Sequence, residues 1–189
     1  MIIEMSESKI GFEYLNYKLR KPQNKDAAKL ISISNDNETM EFYGSSGSYI
    51  KTEEEALKEI SWMTESFSDN AGRWIIVEKE SDEYIGDIGF FNYSKTHKRI
   101  EIGYKLEKSY WGKGIITNFI GLLLKYAFDS FDNNRIEALV DERNIGSKIV
   151  LQKNKFQYEG KLREYEFENN NFVNLEMYSL LRADIETPK

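Results

Sequence analysis

The sequence predicts an α/β fold, in which one domain is built on a mixed, mainly antiparallel sheet with flanking helices. Two observations support this prediction. Short β-prone segments alternate with amphipathic helical patterns, and no internal repeat or linker divides the 189 residues. A chain of this length can bury a sizeable core but is too short for two comfortable domains. We therefore expect one domain over residues 13–183, with flexible ends at residues 1–12 and 184–189.

The first half of the chain is predicted to supply a strand, two helices and a hairpin. Residues 15–20 alternate in polarity and stop before a proline, which predicts the first strand, and residues 25–34 predict a helix. A capping-box sequence that begins at Thr52 opens the second helix. The β-prone residues 74–79 and 84–91 are joined by a short polar turn, which indicates a hairpin.

The second half continues with alternating strands and helices. In order, we predict a strand, a helix, a strand, a basic helix and two antiparallel strands at residues 99–106, 115–128, 134–141, 145–154, 157–166 and 172–181. The helix over 115–128 is apolar except for one narrow stripe, so it is expected to pack against the sheet.

Composition excludes several classes of function. The chain has no cysteine and one histidine, His97, in a polar turn. Disulfides, cysteine zinc sites, thiol nucleophiles and Ser-His-Asp triads are therefore excluded or strongly disfavoured, and we expect no metal. No apolar stretch is long enough for a membrane span, and the first residues lack the pattern of a signal peptide. We expect a cytoplasmic protein with no membrane partner.

The charge pattern favours an anionic ligand over nucleic acid. The net charge is −6, whereas nucleic-acid binding needs a basic face. However, residues 143–163 contain six basic residues against one acid, and residues 108–128 contain three lysines and no acid. These segments indicate a local positive field. The alternative is that they are two ordinary solvated helix faces.

A glycine-punctuated turn at residues 109–116 predicts a phosphate site. It lies between a predicted strand and a buried helix, where backbone N–H groups and the helix dipole favour an anion. It is not a P-loop, because Ile115 and Ile116 follow Gly114 where lysine and a hydroxyl residue are needed. It also lacks the third glycine of a dinucleotide fingerprint, since position 117 is threonine.

Six segments carry a resemblance to a known family. They are Glu101-Ile102-Gly103-Tyr104, Tyr110-Trp111-Gly112-Lys113-Gly114, Asn134-Arg135-Ile136-Glu137-Ala138, Asn144-Ile145-Gly146-Ser147, Phe156-Gln157-Tyr158-Glu159-Gly160 and Asn174-Leu175-Glu176-Met177-Tyr178. Together they resemble the GNAT superfamily of acetyl-CoA-dependent N-acetyltransferases, and within it the branch of ribosomal-protein N-terminal (alanine/serine) acetyltransferases. The resemblance covers residues 15–181 and is strongest over residues 101–160. It departs at Ser109, where the family usually has Gln or Arg.

The resemblance implies a GNAT-like sheet with a splayed central strand pair, and acetyl-CoA as co-substrate. It implies cofactor binding by the loop, the preceding strand edge and the next helix start. These residues are Tyr104, Lys105, Leu106, Trp111, Gly112, Lys113, Gly114, Ile115, Ile116, Asn144 and Ser147. For Asn144 the alternative is a helix N-cap.

Three side chains are candidates for catalysis. The resemblance implies that Ser147 donates a proton to the departing thiolate, although a surface serine is the alternative. Glu101 matches the superfamily's usual base and Glu166 that of the ribosomal-protein branch; either could instead be a cross-strand salt-bridge partner. We expect Glu164, on the same predicted strand face, to raise the pKa of Glu166.

The acceptor is predicted to be a primary amine, and a protein N-terminus is favoured. At neutral pH about a tenth of α-amines are uncharged, against less than about a thousandth of lysines, so a weak base suffices for an N-terminus. A ribosomal protein N-terminus suits the negative chain. The alternatives are a small amine, such as a polyamine, antibiotic or metabolite, and a non-catalytic CoA-binding module. A homodimer is left open.

Overall fold

One sheet of eight strands lies at the centre of the part of the chain that the structure describes. The structure is a computed structural model that describes residues 12–43, 50–65, 72–168 and 170–186. The strands are β1 (Glu13–Tyr14), β2 (Tyr17–Arg20), β3 (Gly72–Glu78), β4 (Tyr84–Ser94), β5 (Arg99–Leu106), β6 (Arg135–Asp141), β7 (Gln157–Glu168) and β8 (Asn171–Leu181). Their order across the sheet is β1-β2-β3-β4-β5-β6-β8-β7. The predicted α/β class is confirmed.

The central strands β5 and β6 form a splayed pair, as the resemblance implied. They are the parallel neighbours, and their pairing covers only residues 99–101 with 135–137. The other neighbouring strands are antiparallel; β5 stays paired with β4 through Leu106, and β6 with β8 through Asp141. The two halves of the sheet therefore separate after Glu101 and leave a gap between β5 and β6.

Helices cover both faces of the sheet. They are α1 (Ala27–Ser34), α2 (Asn37–Met40), α3 (Glu53–Glu65), α4 (Ile115–Ser130), α5 (Ile145–Lys153) and α6 (Arg182–Glu186). α4 buries eight residues in the larger core, as its apolar sequence predicts. α1 and α3 pack with β3 in a second core. The predicted capping box of α3 is confirmed, since the Thr52 hydroxyl accepts from the Glu55 N–H at 3.2 Å and the Glu55 carboxylate accepts from the Thr52 N–H at 3.0 Å.

Several predicted boundaries need correction. Residues 15–20 are not one strand, because Leu15 has φ 49° and lies between β1 and β2. The short helix α2 was not predicted. Phe12 was expected in a flexible end but is buried against Trp74 and Tyr126, and α6 orders residues 182–186. The remainder of the predicted ends, residues 1–11 and 187–189, lies outside the described residues. The boundaries 13 and 183 stay a prediction.

Candidate active site

A large open cleft begins where β5 and β6 separate. Its volume is about 1260 Å³, above the roughly 300–1,000 Å³ usual for a small-molecule pocket. It is lined by β5 and β6, the first residues of α4 and α5, parts of α2 and α3, and the end of β7. The structure thus brings together residues from most of the sequence-predicted site and gives room for two substrates.

The glycine loop, for which an anion site was predicted, lies at one side of this cleft. Gly112 and Gly114 have φ values of 75° and 76°, in the left-handed region that glycine adopts without strain. A Cβ at Gly112 would meet no atom within 4 Å, so the backbone conformation and not crowding requires glycine there. Gly114 is the N-cap of α4, and Ile115 and Ile116 line the cleft. The positive end of a 16-residue helix therefore borders the cleft.

The edge of β5 faces the gap through Tyr104 and Leu106. The Glu107 N–H donates to the Ile85 carbonyl at 2.9 Å, and backbone groups in an antiparallel ladder alternate in direction. The N–H and C=O of Tyr104 and the N–H of Leu106 consequently point away from β4. The Leu106 carbonyl accepts from the Trp111 indole N–H at 2.6 Å, which ties the loop to this strand.

Lys105 lines the cleft but differs from Tyr104 and Leu106 in the direction of its backbone groups. By the same alternation its backbone is directed toward β4, where it is the register partner of Asp87. Its ammonium is also buried and lies 3.3 Å from an Asp87 oxygen. A one-residue difference along a strand reverses the direction of the backbone groups, and this separates Lys105 from its neighbours.

Asn144 and Ser147 lie at the start of α5. Asn144 is the N-cap, and its Oδ1 accepts from the Ser147 N–H at 2.9 Å, so the structural alternative proposed for this residue is realised. The Tyr104 hydroxyl donates weakly to the Ser147 carbonyl at 3.4 Å, and burial raises the pKa of Tyr104. Ser147 is partly buried and lines the cleft, and a hydrogen bond between its side chain and Tyr104 opposes the rise in the Tyr104 pKa.

Glu101 and Glu166 both line the cleft. Removal from water, a hydrogen bond with Glu168 and the charges of Glu168 and Glu101 together raise the pKa of Glu166 to about 7. Burial also raises the pKa of Glu101, opposed by a hydrogen bond of 3.0 Å from Asn92. Two carboxyls that favour the protonated form are candidates for acid–base work near neutral pH.

The neighbour that raises the pKa of Glu166 is Glu168, and the expectation for Glu164 was wrong. Glu164 is exposed, has φ 52° and lies where the β7–β8 register shifts. This bulge breaks the alternation on which the prediction relied. Glu137, in contrast, is held by ion pairs, since Arg99 and Arg135 bind it at 2.6 and 2.7 Å.

The positive field beside the cleft is smaller than the sequence indicated. Arg143, Lys148 and Lys161 form ion pairs with Asp141, Glu176 and Glu142, respectively. In the two basic segments, four residues have no carboxylate partner among the described residues: Lys113, Lys153, Lys155 and Arg163. Lys153 lines the cleft, and Lys113 in the loop lies over the Tyr110 ring at 4.6 Å.

Sequence reasoning missed a polar network on the other side of the cleft. Arg73 and Lys105 pair with the fully buried Asp87, and the Tyr84 hydroxyl donates to Asp87 at 2.5 Å. Arg73 also donates to the Tyr43 hydroxyl. The available signal was a charged residue inside each of two apolar strands, since buried charges are rare unless they are paired.

Two further findings concern the described residues alone. No group of three or more His, Cys, Asp or Glu residues among them could hold a metal ion. None of their helices is long and apolar enough to span a membrane.

Comparison with protein families agrees with this architecture. The acetyltransferase (GNAT) domain matches residues 17–157, which is most of the chain. The chain belongs to the GNAT family. Its relatives include an uncharacterised N-acetyltransferase p20 of Bacillus licheniformis, 40% identical over 63% of this chain and 67% of that protein. YoaA, an uncharacterised N-acetyltransferase of Bacillus subtilis, is 30% identical over 87% of this chain and 92% of that protein. The ribosomal-protein-serine acetyltransferase of Escherichia coli is 28% identical over 69% of this chain and 73% of that protein.

Solved GNAT structures share the fold. A ribosomal-protein-S5-alanine acetyltransferase from Vibrio fischeri superposes with a TM-score of 0.79, at 23% identity over 94% of this chain and 100% of that one. RimL, a ribosomal L7/L12 α-N-protein acetyltransferase solved with coenzyme A, superposes with a TM-score of 0.82, at 20% identity over 93% of this chain and 99% of that one. A spermidine N-acetyltransferase from Vibrio cholerae, solved with CoA and spermine, superposes with a TM-score of 0.76, at 19% identity over 91% of this chain and 99% of that one. The protein is a GNAT-type N-acetyltransferase, and these neighbours differ in acceptor.

Proposed function

We propose that this GNAT protein transfers the acetyl group of acetyl-CoA to the α-amine of a protein N-terminus, such as that of a ribosomal protein. The observation that carries the proposal is the Glu166 carboxyl, which lines the cleft with a pKa of about 7. An α-amine has a pKa near 8. A base of this strength is therefore half ionised at the pH where a useful fraction of N-termini is already neutral.

The residues around the gap fit acetyl-CoA. The left-handed Gly112 and Gly114 open α4, so its first N–H groups are available to the pyrophosphate. The backbone edge at Tyr104 and Leu106 offers donors and an acceptor to the amides of pantetheine. Acetyl-CoA supplies the acetyl group as a thioester. We assign the Leu106 N–H to the thioester carbonyl oxygen, where charge develops during transfer.

Two residues are assigned to proton transfer, one at the attacking amine and one at the departing sulfur. Glu166, aided by the charge of Glu101, takes the proton that the amine loses as the new C–N bond forms. The hydroxyl of Ser147 gives a proton to the sulfur as the C–S bond breaks. Asn144 positions Ser147 by capping α5.

The acids that line the cleft are Glu59, Glu101, Glu166 and Glu168, with Asp141 beside them. They attract a cationic amine before it is deprotonated. The similarity to the Escherichia coli ribosomal-protein-serine acetyltransferase supports a peptide acceptor. The second candidate is a small polyamine, which the same acids would also attract and which is the acceptor named for the Vibrio cholerae neighbour.

A direct acceptor screen tests the proposal. The purified protein is incubated with acetyl-CoA and with panels of N-terminal peptides, polyamines and aminoglycosides, and release of the CoA thiol is followed. The matched control for each peptide is the same peptide with its N-terminus already acetylated. We expect turnover with free peptides and none with the blocked ones. Turnover with polyamines and none with any peptide would contradict the proposal.

A further inference from the structure

The guanidinium of Arg73 has one edge that none of the described residues binds. Arg73 is 6% exposed, and it donates through Nε to Asp87 and through Nη2 to the Tyr43 hydroxyl. Within the described residues, its Nη1 makes no hydrogen bond, and no fully buried side-chain nitrogen or oxygen lacks a partner. Nη1 is therefore open to the cleft that Arg73 lines.

The free edge lies over Gly103 on β5. A Cβ built on Gly103 would lie 3.7 Å from Arg73 Nη1 and only 2.8 Å from the Phe91 ring. A side chain at position 103 would therefore crowd Phe91 and lie beside the guanidinium. Glycine leaves space for the Phe91 ring beside this strip of β5, and Gly103, Phe91 and Arg73 all line the cleft, so a ligand that follows the cleft along the strand can reach Nη1.

The charges around Arg73 are nearly balanced. Arg73 and Lys105 both pair with Asp87. Glu59 of α3 also lines the cleft; burial raises its pKa, while Lys105 and Arg73 lower it. Two cations thus face two acids. A carboxylate of the ligand would therefore gain little electrostatic attraction here. A neutral ligand oxygen can still accept a hydrogen bond from Nη1.

The spacing suits an aminoacyl group. Glu101 and Gly103 lie on the same face of β5, about 7 Å apart along the strand. In a peptide, the α-amine and the first two carbonyl oxygens are separated by about 3 to 7 Å, one to two residue lengths. An amine at the Glu101 end of the cleft therefore brings a peptide carbonyl to the region above Gly103.

We propose that Arg73 is a specificity-determining residue that donates a hydrogen bond from Nη1 to a carbonyl oxygen of the acceptor. It selects α-aminoacyl amides, including peptide N-termini, over amines that carry no carbonyl. This inference rests on the proposed function and deepens it by separating peptides from polyamines on one contact.

The test compares a short seryl peptide amide with 1,4-diaminobutane as acceptors. Arg73→Lys keeps the charge opposite Asp87 but loses the planar fork that reaches two partners and the cleft together. We expect kcat/KM for the peptide to fall about tenfold to a hundredfold, mainly through KM, as for a lost charged hydrogen bond. For the diamine the change should stay below about threefold, and CoA affinity should not change.

Two further variants guard against a folding defect. Tyr43→Phe removes the hydroxyl that holds Nη2 and leaves the Asp87 pairs in place. It should lower the peptide-to-diamine preference in the same direction by about threefold, even if Arg73→Lys does not fold by circular dichroism. Lys125→Ala removes an exposed lysine of α4, away from the cleft, and should leave both acceptors unchanged.

The outcomes distinguish a failure of the Arg73 assignment from a failure of the proposed function. Suppose that the parent enzyme acetylates peptides and that the folded variants either keep its preference for peptide over diamine or lose both activities equally. Then the assignment of Arg73 is overturned, while the proposed function still stands. A wild-type enzyme that is inactive on peptides overturns the proposed function and this inference with it.

Discussion

The negative charge of Glu101 raises the pKa of Glu166, although the two residues lie on strands that are not neighbours in the sheet. Glu101 ends the short paired segment of β5 and β6, and Glu166 lies near the end of β7. The β7–β8 hairpin returns alongside β6 and brings the two carboxyls to one cleft. The charge of Glu101 therefore affects proton binding at Glu166.

The first prediction concerns the pH dependence of catalysis. If Glu166 is the base, kcat/KM rises with pH through about 7, its pKa. Glu166→Gln should remove this rise and increase the acceptor's KM. Glu101→Gln should move the rise to lower pH, because it removes a charge that raises the Glu166 pKa. The measurement is a pH–rate profile for the parent and both variants. If only Glu101→Gln abolishes the rise, Glu101 is the base; if neither changes it, neither residue is.

The second prediction concerns stability. The folded pKa of Glu166 is raised above its unfolded value, so between about pH 4.5 and 7 the folded state binds more protons. The contribution of Glu166 to the free energy of unfolding is present below this range and is lost as pH rises through 7. Glu166→Gln should therefore show a smaller fall in melting temperature between pH 5 and pH 8 than the parent. Glu53→Gln, on the exposed start of α3, is the control and should follow the parent.

The third prediction concerns the glycine loop. Gly112→Asp should abolish CoA binding in calorimetry, because it places a negative charge at the proposed pyrophosphate site. Gly112→Asn is the matched control, since asparagine has nearly the same shape, tolerates positive φ and carries no charge. It should retain most of the affinity. Equal CoA affinity in folded Gly112→Asp and parent protein would refute the site.

The fourth prediction concerns Ser147. Ser147→Ala should lower turnover about ten- to a thousandfold with little change in CoA affinity, as expected for a positioned proton donor. Ser147→Thr retains a hydroxyl and should recover part of the rate. Turnover of the alanine variant within about twofold of the parent would reduce Ser147 to a structural role at the start of α5.

The fifth prediction concerns the buried network. Asp87→Ala should reduce the free energy of unfolding by about 3–5 kcal/mol, because it leaves Arg73 and Lys105 without their shared carboxylate. Asp129→Ala is the comparison, since it breaks an exposed pair with Lys125 and should cost less than about 1 kcal/mol. Urea denaturation of the three proteins measures both values. Similar losses for both variants would show that the network adds no special stability.

Features set by local chemistry could be predicted from the sequence alone. The bounds of β5, the first residue of α4, the capping box at Thr52 and the glycine turn before α4 all agree with the structure. Hydrophobic periodicity, capping and turn preferences act over a few neighbouring residues, so a single segment carries the information. The family resemblance rested on the same short segments.

Features that depend on pairing between distant segments required the tertiary structure. The direction of Lys105 follows from the β4–β5 register, and the bulge at Glu164 breaks its alternation with Glu166, whereas Glu166 and Glu168 lie in a regularly paired stretch. The free edge of Arg73 depends on Asp87, Tyr43 and Gly103 together. Strand register and bulges are decided by packing across the whole sheet, and a shift of one residue turns a side chain to the other face. The acceptor side of the cleft is built almost entirely from such contacts, whereas the cofactor side is built from a local turn and the helix that follows it.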